Sequence, residues 1–200
     1  MKKLIIAVDI DDVLAAEAEF VIKYSNAEWG HELTLDDYTE HWAFWGYEHT
    51  HPEFERRAAK LHEPGIVSKY RIIPGSMDVL KKLSRQYELI IVTSRRRRVE
   101  EETRQWLNMH FPGVFSEVVL TGFWDEVQRA DRHLLSKGSL LKDKQVSYVI
   151  DDQPKHCLSA AEHGIKAVLY GDYAESRGID LPKGVVRCKD WREVGEYFGI

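Results

Sequence analysis

One stretch near the N-terminus, Leu4 to Ala15 (LIIAVDIDDVLA), narrows the possible folds of this chain more than any other. Leu4 to Val8 are five consecutive apolar residues, which read as a short strand buried on both faces. Strands of that kind belong to open α/β sheets, which place their chemistry just beyond the carboxyl ends of the strands. Asp9 and Asp11 fall at that end, with Asp12 beside them. Carboxylates so close repel one another in a buried place unless a proton or a cation separates them, and a hard, oxygen-liking cation such as Mg²⁺ suits the purpose. The plain alternative is that these acids only end a strand as turn formers, in a chain with 33 acidic residues.

The chain beyond this stretch divides by pattern. From Ala16 to about Ile73 there is little strand signal. One helix carries Phe20, Val21 and Tyr24 on one face and ends near Gly30, and another runs from Pro52 to Leu61 with proline at its start. This reads as a helical cap, residues 16–73, inserted into a core made of residues 1–15 and 74–200. The cap is rich in rings (Trp29, Trp42, Phe44, Trp45 and Tyr47 among them), and any single ring serves more naturally as the cap's own core than as a ligand surface. Its histidines, His41, His49, His51 and His62, have no Cys or Glu partner at a zinc spacing, which leaves them surface or capping roles.

Pro74 and Gly75 mark the return to the core. Helix Ser76 to Leu83, strand Glu88 to Val92, helix Glu100 to Met109 and strand Val118 to Leu120 follow in turn. A helical turn through Leu140 and Leu141, strand Val146 to Ile150, a helix from Pro154 to Gly164 and strand Ala167 to Leu169 continue the series. Val185 and Val186 add an edge strand, and Trp191 to Phe198 a closing helix. Such alternation predicts an α/β fold with a Rossmann-like, doubly wound, mostly parallel sheet.

The strand ends carry further polar residues. Thr93, Ser94 and Arg95 follow the second strand, where hydroxyls and helix-start N–H groups suit a phosphate, although a serine or threonine there is equally a plain helix cap. Arg95 to Arg98 are four arginines in a row, of which one or two can face a ligand at that place. Lys137 precedes the fourth strand, and Asp151 and Asp152 end it. A second acidic pair at the end of a second buried strand is costly unless something compensates it.

Taken in order, Asp9 and Asp11, Thr93 and Ser94, Lys137, then Asp151 and Asp152 resemble the four motifs of the haloacid dehalogenase-like hydrolase superfamily, and the helical insertion after the first motif is similar to its C1 cap. Within it, Asp-Ile-Asp-Asp-Val, Val-Thr-Ser-Arg and Val-Ile-Asp-Asp-Gln-Pro-Lys-His look most like the 5′(3′)-deoxyribonucleotidase group. The resemblance implies a phosphatase acting through an aspartyl-phosphate. Asp9 is then the nucleophile, Asp11 the acid and base, Lys137 the charge-offsetting cation, and Thr93, Ser94 and Arg95 the phosphate holders. It further implies Mg²⁺ held by the Asp9 carboxylate, the Asp11 backbone carbonyl and one acid of the pair, with Asp152 direct and Asp151 through water. A nucleoside monophosphate substrate is the narrower expectation, with Trp42 and Trp45 offered as base-reading rings because they sit mid-cluster. A phosphatase for some other small metabolite is the alternative.

Composition excludes other classes. At 44% hydrophobic and 30% charged residues the chain is globular, and a net charge of −5 argues against a nucleic-acid polymer or a membrane surface as partner. The N-terminus meets acid too soon for a secretory signal, which points to the cytoplasm. Cys157 and Cys188 make no metal spacing and read as plain thiols. A receiver-type switch uses the same residue types, but in another order and without a cap of this size. A dinucleotide-binding oxidoreductase would need a glycine-rich turn after the first strand, and there is none.

Overall fold

Six strands, β1 (Ile5–Val8), β2 (Glu88–Thr93), β3 (Glu117–Leu120), β4 (Tyr148–Asp151), β5 (Lys166–Tyr170) and β6 (Val185–Cys188), form one sheet in the order β3-β2-β1-β4-β5-β6. All described pairings are parallel. The computed structural model describes residues 3–39, 41–48, 50–125 and 135–200, with positions 41 and 42 described by their backbone alone. Between β1 and β2 lie α1 (Glu17–Trp29), α2 (His41–Phe44), α3 (Pro52–Lys60) and α4 (Ser76–Gln86). After β2 come α5 (Glu100–His110), α6 (Gly138–Asp143), α7 (Pro154–Glu162) and α8 (Trp191–Phe198). No helix among the described residues is long and apolar enough to cross a membrane.

The inner strands are largely apolar because both of their faces are covered. Ile6, Val8, Leu89 and Ile91 face the side packed by Leu80 and Leu83 of α4, Trp106 of α5 and Trp191 of α8. Ala7, Ile90, Val92 and Val149 face the other side, against Leu141 of α6 and Cys157 and Ala160 of α7. Burying two faces removes any polar alternation from these strands, so each reads as a continuous apolar run. The expected fourth strand starts two residues later than its apolar run, because Val146 N–H bonds back to Leu141 O of the preceding helix.

β1 lies where the strand order reverses, the place where such sheets open a crevice. Val8 pairs with Ile91 on one side and Ile150 on the other, and Asp9 N–H donates to Ile150 O at 2.9 Å. Asp9, Thr93 and Asp151 therefore emerge at one edge.

A separate apolar cluster gathers Val21, Ile22, Tyr38, Trp45, Phe54, Ala58 and Leu61 above that edge. Trp29 packs edge-on against Trp45 at 5.1 Å, and the Arg57 guanidinium lies 4.6 Å from the Trp29 ring. His51 caps α3 by accepting from Glu53 N–H at 3.0 Å. The chain enters and leaves this region by two neighbouring segments. Ala15 and Ile72 form an antiparallel bridge, flanked by Ala16 N–H to Arg71 O at 2.8 Å and Ile73 N–H to Leu14 O at 2.7 Å.

Candidate active site

The turn after β1 is tight. Leu14 and Ala15 N–H both bond to Ile10 O at 2.8 Å, and Asp12 takes a left-handed backbone, φ 55°. Short polar side chains tolerate that region best, and Asp12 gains a bond for it, because Oδ1 accepts Ala18 N–H in the first turn of α1 at 2.8 Å. This turn separates Asp9 from Asp11 in direction: one joins the acids of β4, the other reaches toward β2.

Asp9, Asp151 and Asp152 bring oxygens within 4.8 Å of one another, and all three side chains are buried. Lys137, 0% exposed, puts Nζ 2.7 Å from Asp151 Oδ2 and 2.8 Å from Asp9 Oδ1. The contact with Asp151 is a hydrogen bond and the contact with Asp9 a close ion pair, beyond which Asp9 Oδ1 has no partner among the described residues. Burial works against the lysine's charge, yet Asp151 and Asp9 hold it above the ordinary value for an ammonium. Burial pushes the Asp9 carboxyl up to about 7, with Lys137 opposing and Asp151 and Asp11 adding to the rise. Asp152 is raised well above the carboxylate range by burial, then by Asp151 and Asp9. Three carboxylates facing one ammonium lack positive charge, and an all-oxygen donor set of this kind fits a hard dication such as Mg²⁺.

Lys137 reaches this place through close helix packing. A Cβ at Gly138 would lie 2.2 Å from Ser159 Oγ and 2.7 Å from Ser159 O, so only glycine lets α6 rest on α7 here. Asp151 has both oxygens engaged, by Lys137 and by Gln153 N–H at 3.0 Å, while Asp152 lines the open pocket.

At the end of β2 the residues part company. Thr93 is fully buried and accepts Arg95 N–H at 3.2 Å, away from the pocket. Ser94 lines the pocket, with Oγ 3.4 Å from His156 Nε2. Arg95, expected as a phosphate holder, lines the pocket and pairs with Asp11. Its Nε lies 3.1 and 2.9 Å from the two Asp11 oxygens and its Nη2 lies 2.6 Å from Oδ1, because a buried guanidinium takes the nearest carboxylate. Of the four arginines only Arg95 and Arg96 are buried and line the pocket, Arg96 beside Glu55 of α3 at 3.1 Å. Arg97 and Arg98 are exposed.

The rings that line the pocket differ from those expected. Trp45 is only 4% exposed, lies in the cap's own apolar cluster and donates its indole N–H to Ser25 Oγ at 3.0 Å. Unlike Tyr38 and Phe54 of the same cluster, it does not line the pocket, and the expectation for Trp45 is corrected accordingly. The Trp42 side chain lies outside the described residues. Tyr38 and Phe54 from the cap, with Phe123 and Trp124 from the loop after β3, form the pocket's aromatic wall. Phe123 and Trp124 follow the carboxyl end of a parallel strand, and that position alone could have flagged them. His156, two residues into α7, also lines the pocket. Burial, then Lys137 and Lys155, push it well below the usual histidine range, so it is neutral.

A family model described as 5′ nucleotidase, deoxy (pyrimidine), cytosolic type C protein matches residues 3–198. A candidate nucleotidase of Halalkalibacterium halodurans is 26% identical over 186 residues, spanning 92% of this chain and 87% of its own. A haloacid dehalogenase-like family hydrolase from Streptococcus pneumoniae shares the fold with a TM-score of 0.68 at 16% identity, over 98% of both chains. A candidate hydrolase of the same superfamily from Bacillus subtilis, solved with magnesium bound, gives 0.61 at 12% identity over 100% of both chains.

Proposed function

This chain belongs to the 5′ nucleotidase, deoxy (pyrimidine), cytosolic type C family, and from that premise we propose that it is a Mg²⁺-dependent phosphatase of nucleoside monophosphates, deoxyribonucleotides first among them, working through an aspartyl-phosphate on Asp9. The observation that carries this reading is the convergence of Asp9, Asp151 and Asp152 around Lys137 at the mouth of the crevice.

An Asp9 oxygen attacks phosphorus, the ester P–O bond breaks with its electron pair going to the sugar oxygen, and Asp11 gives that oxygen a proton. Water then attacks the aspartyl-phosphate and loses a proton to Asp11. The P–O bond to Asp9 breaks, and inorganic phosphate leaves with both carboxyls restored. Lys137 offsets charge as a carboxylate approaches a phosphate dianion, and Ser94 Oγ donates to a phosphate oxygen from the pocket end of β2. Asp9, Asp152 and the Asp11 backbone carbonyl, with Asp151 behind them, would hold Mg²⁺, which when bound supplies positive charge to the transferring group. That Asp152 lines the pocket and Asp151 does not supports Asp152 as the direct member of the pair.

Residues 16–73 act in this reading as a substrate-selecting cap over a core of 1–15 and 74–200. The wall of Tyr38, Phe54, Phe123 and Trp124 offers a base a flat π surface, worth about 1 to 3 kcal/mol per stacked base. The family's description as cytosolic supports a cytoplasmic location. A phosphatase screen over nucleoside monophosphates, sugar phosphates and phosphoamino acids, with Mg²⁺ and then with excess EDTA, tests the whole reading. The expected result is hydrolysis led by nucleotides and abolished by EDTA. Sugar phosphates outrunning every nucleotide would reject the nucleotide substrate, and full activity in EDTA would reject the metal.

A further inference from the structure

Arg95 is fixed from several sides. Its side chain is 4% exposed, its Nη1 donates to the buried Thr103 Oγ1 at 3.1 Å, and its guanidinium lies 5.4 Å from the Tyr70 ring. Its backbone N–H is held by Thr93 Oγ1. Asp11 is in the opposite condition. Every hydrogen bond to its carboxylate among the described residues comes from Arg95, through Nε and Nη2. A planar fork bonding both oxygens fixes the direction of a carboxylate as well as its place, which a lysine's point charge does not do. Among the buried cations of the site, Lys137 stands on the attacking acid and Arg95 on its neighbour two residues on.

We propose that Arg95 is a positioning residue for Asp11, its guanidinium fork aiming the carboxyl that exchanges a proton with the leaving oxygen. The inference rests on the reading of Asp11 as acid and base. Thr103 on α5 and the ring of Tyr70 are the mount that holds the fork. A carboxyl held by one partner alone loses its direction when that partner is lost, and catalysis by a positioned acid falls with it.

The leaving group separates this from the rival roles. A nucleoside monophosphate expels an alkoxide that needs the proton, whereas para-nitrophenyl phosphate expels a phenolate that needs little. The measurement is kcat/KM with Mg²⁺ on both substrates, which reports the steps through cleavage of the ester bond. Arg95→Met is expected to lower it at least about tenfold more for the nucleotide than for the aryl ester, part of the 10²–10⁴-fold that general acids supply. Thr103→Val, which touches neither substrate nor Asp11, is expected to shift the ratio in the same sense by less, and it keeps the test alive should Arg95→Met fail to fold. Equal losses on both esters with a raised KM would make Arg95 a phosphate holder, and equal losses with a lowered melting temperature would make it scaffold. Either result overturns the proposal. Asp11→Asn supplies the control: if it favours the aryl ester while both other variants do not, the inference on Arg95 alone is wrong. If Asp11→Asn is itself indifferent to the leaving group, the reading of Asp11 falls and this inference with it.

Discussion

The floor and the wall of the pocket are held together by different forces. On the floor, Lys137 sits 2.7 and 2.8 Å from two buried acids, so each charge depends on its neighbours. Removing one member leaves the others buried and uncompensated, and the effects of such changes do not add. In the wall, Phe54 and Trp124 stand 6.2 Å apart and Phe123 and His156 6.4 Å, contacts of ring packing. Each ring contributes area and shape, and its loss is graded. In the proposed reading, chemistry is therefore concentrated in a few interdependent charges, while selectivity is spread over surfaces that can change one at a time.

The largest effect should come from the floor. Asp9→Asn is expected to lower kcat by about 10³-fold or more on any phosphate ester, as the loss of a covalent nucleophile does, with steady-state assays as the check. A variant within tenfold of the wild type would break the contrast at its root. Next comes a ring that the pocket does not use. Trp45→Ala should destabilise the fold by about 3 to 5 kcal/mol in chemical denaturation while leaving the preference for nucleotide over aryl phosphate unchanged. Trp124→Ala should do the reverse, costing less stability and lowering kcat/KM for nucleotides about ten- to hundredfold relative to an aryl ester. If the two tryptophans behaved alike, wall and cap core would not be separable.

The smallest effect is a pH effect at the junction of floor and wall. His156 is held neutral in the fold, well below the ordinary value of 6.5 that it regains when unfolded. Below that value the unfolded chain binds a proton that the folded chain does not, so this residue's contribution is present above pH 6.5 and lost as the pH falls. Each unit of pH below it costs up to about 1.4 kcal/mol, and His156→Gln should remove that slope. The difference between the two pH–stability curves is the measurement, since Asp9, Asp12 and Asp152, all raised by burial, are common to both.

The sheet was legible in the sequence because strands buried on both faces leave continuous apolar runs, as β1, β2, β4 and β5 do. Their alternation with helices outside residues 16–73 pointed to a mostly parallel sheet. The acids and the lysine were legible for a related reason: buried charges at strand ends need partners, and Asp9, Lys137 and Asp151 are indeed side by side. The direction of a ring is a different kind of fact. Trp45 and Trp124 have the same side chain and lie in irregular or short elements without a clear period, so nothing local tells which packs inward. Arg95 shows the same limit for charge. Its place beside an anion was readable, but whether that anion is a phosphate or Asp11 depends on a contact spanning 84 positions.

The paired segments at Ala15 and Ile72 make the proposed cap a cassette. Since its two ends leave the core side by side, the intervening chain only has to return to where it started, and closing a loop of twice the length costs only about 0.6 kcal/mol more. The sheet is therefore indifferent to how much chain is grafted at that joint, or of what kind. A shorter, longer or foreign insert could be carried by the same hydrolytic core without rebuilding a strand, and changes of diet in such a protein can be tried out on one hinge while the chemistry stays where it is.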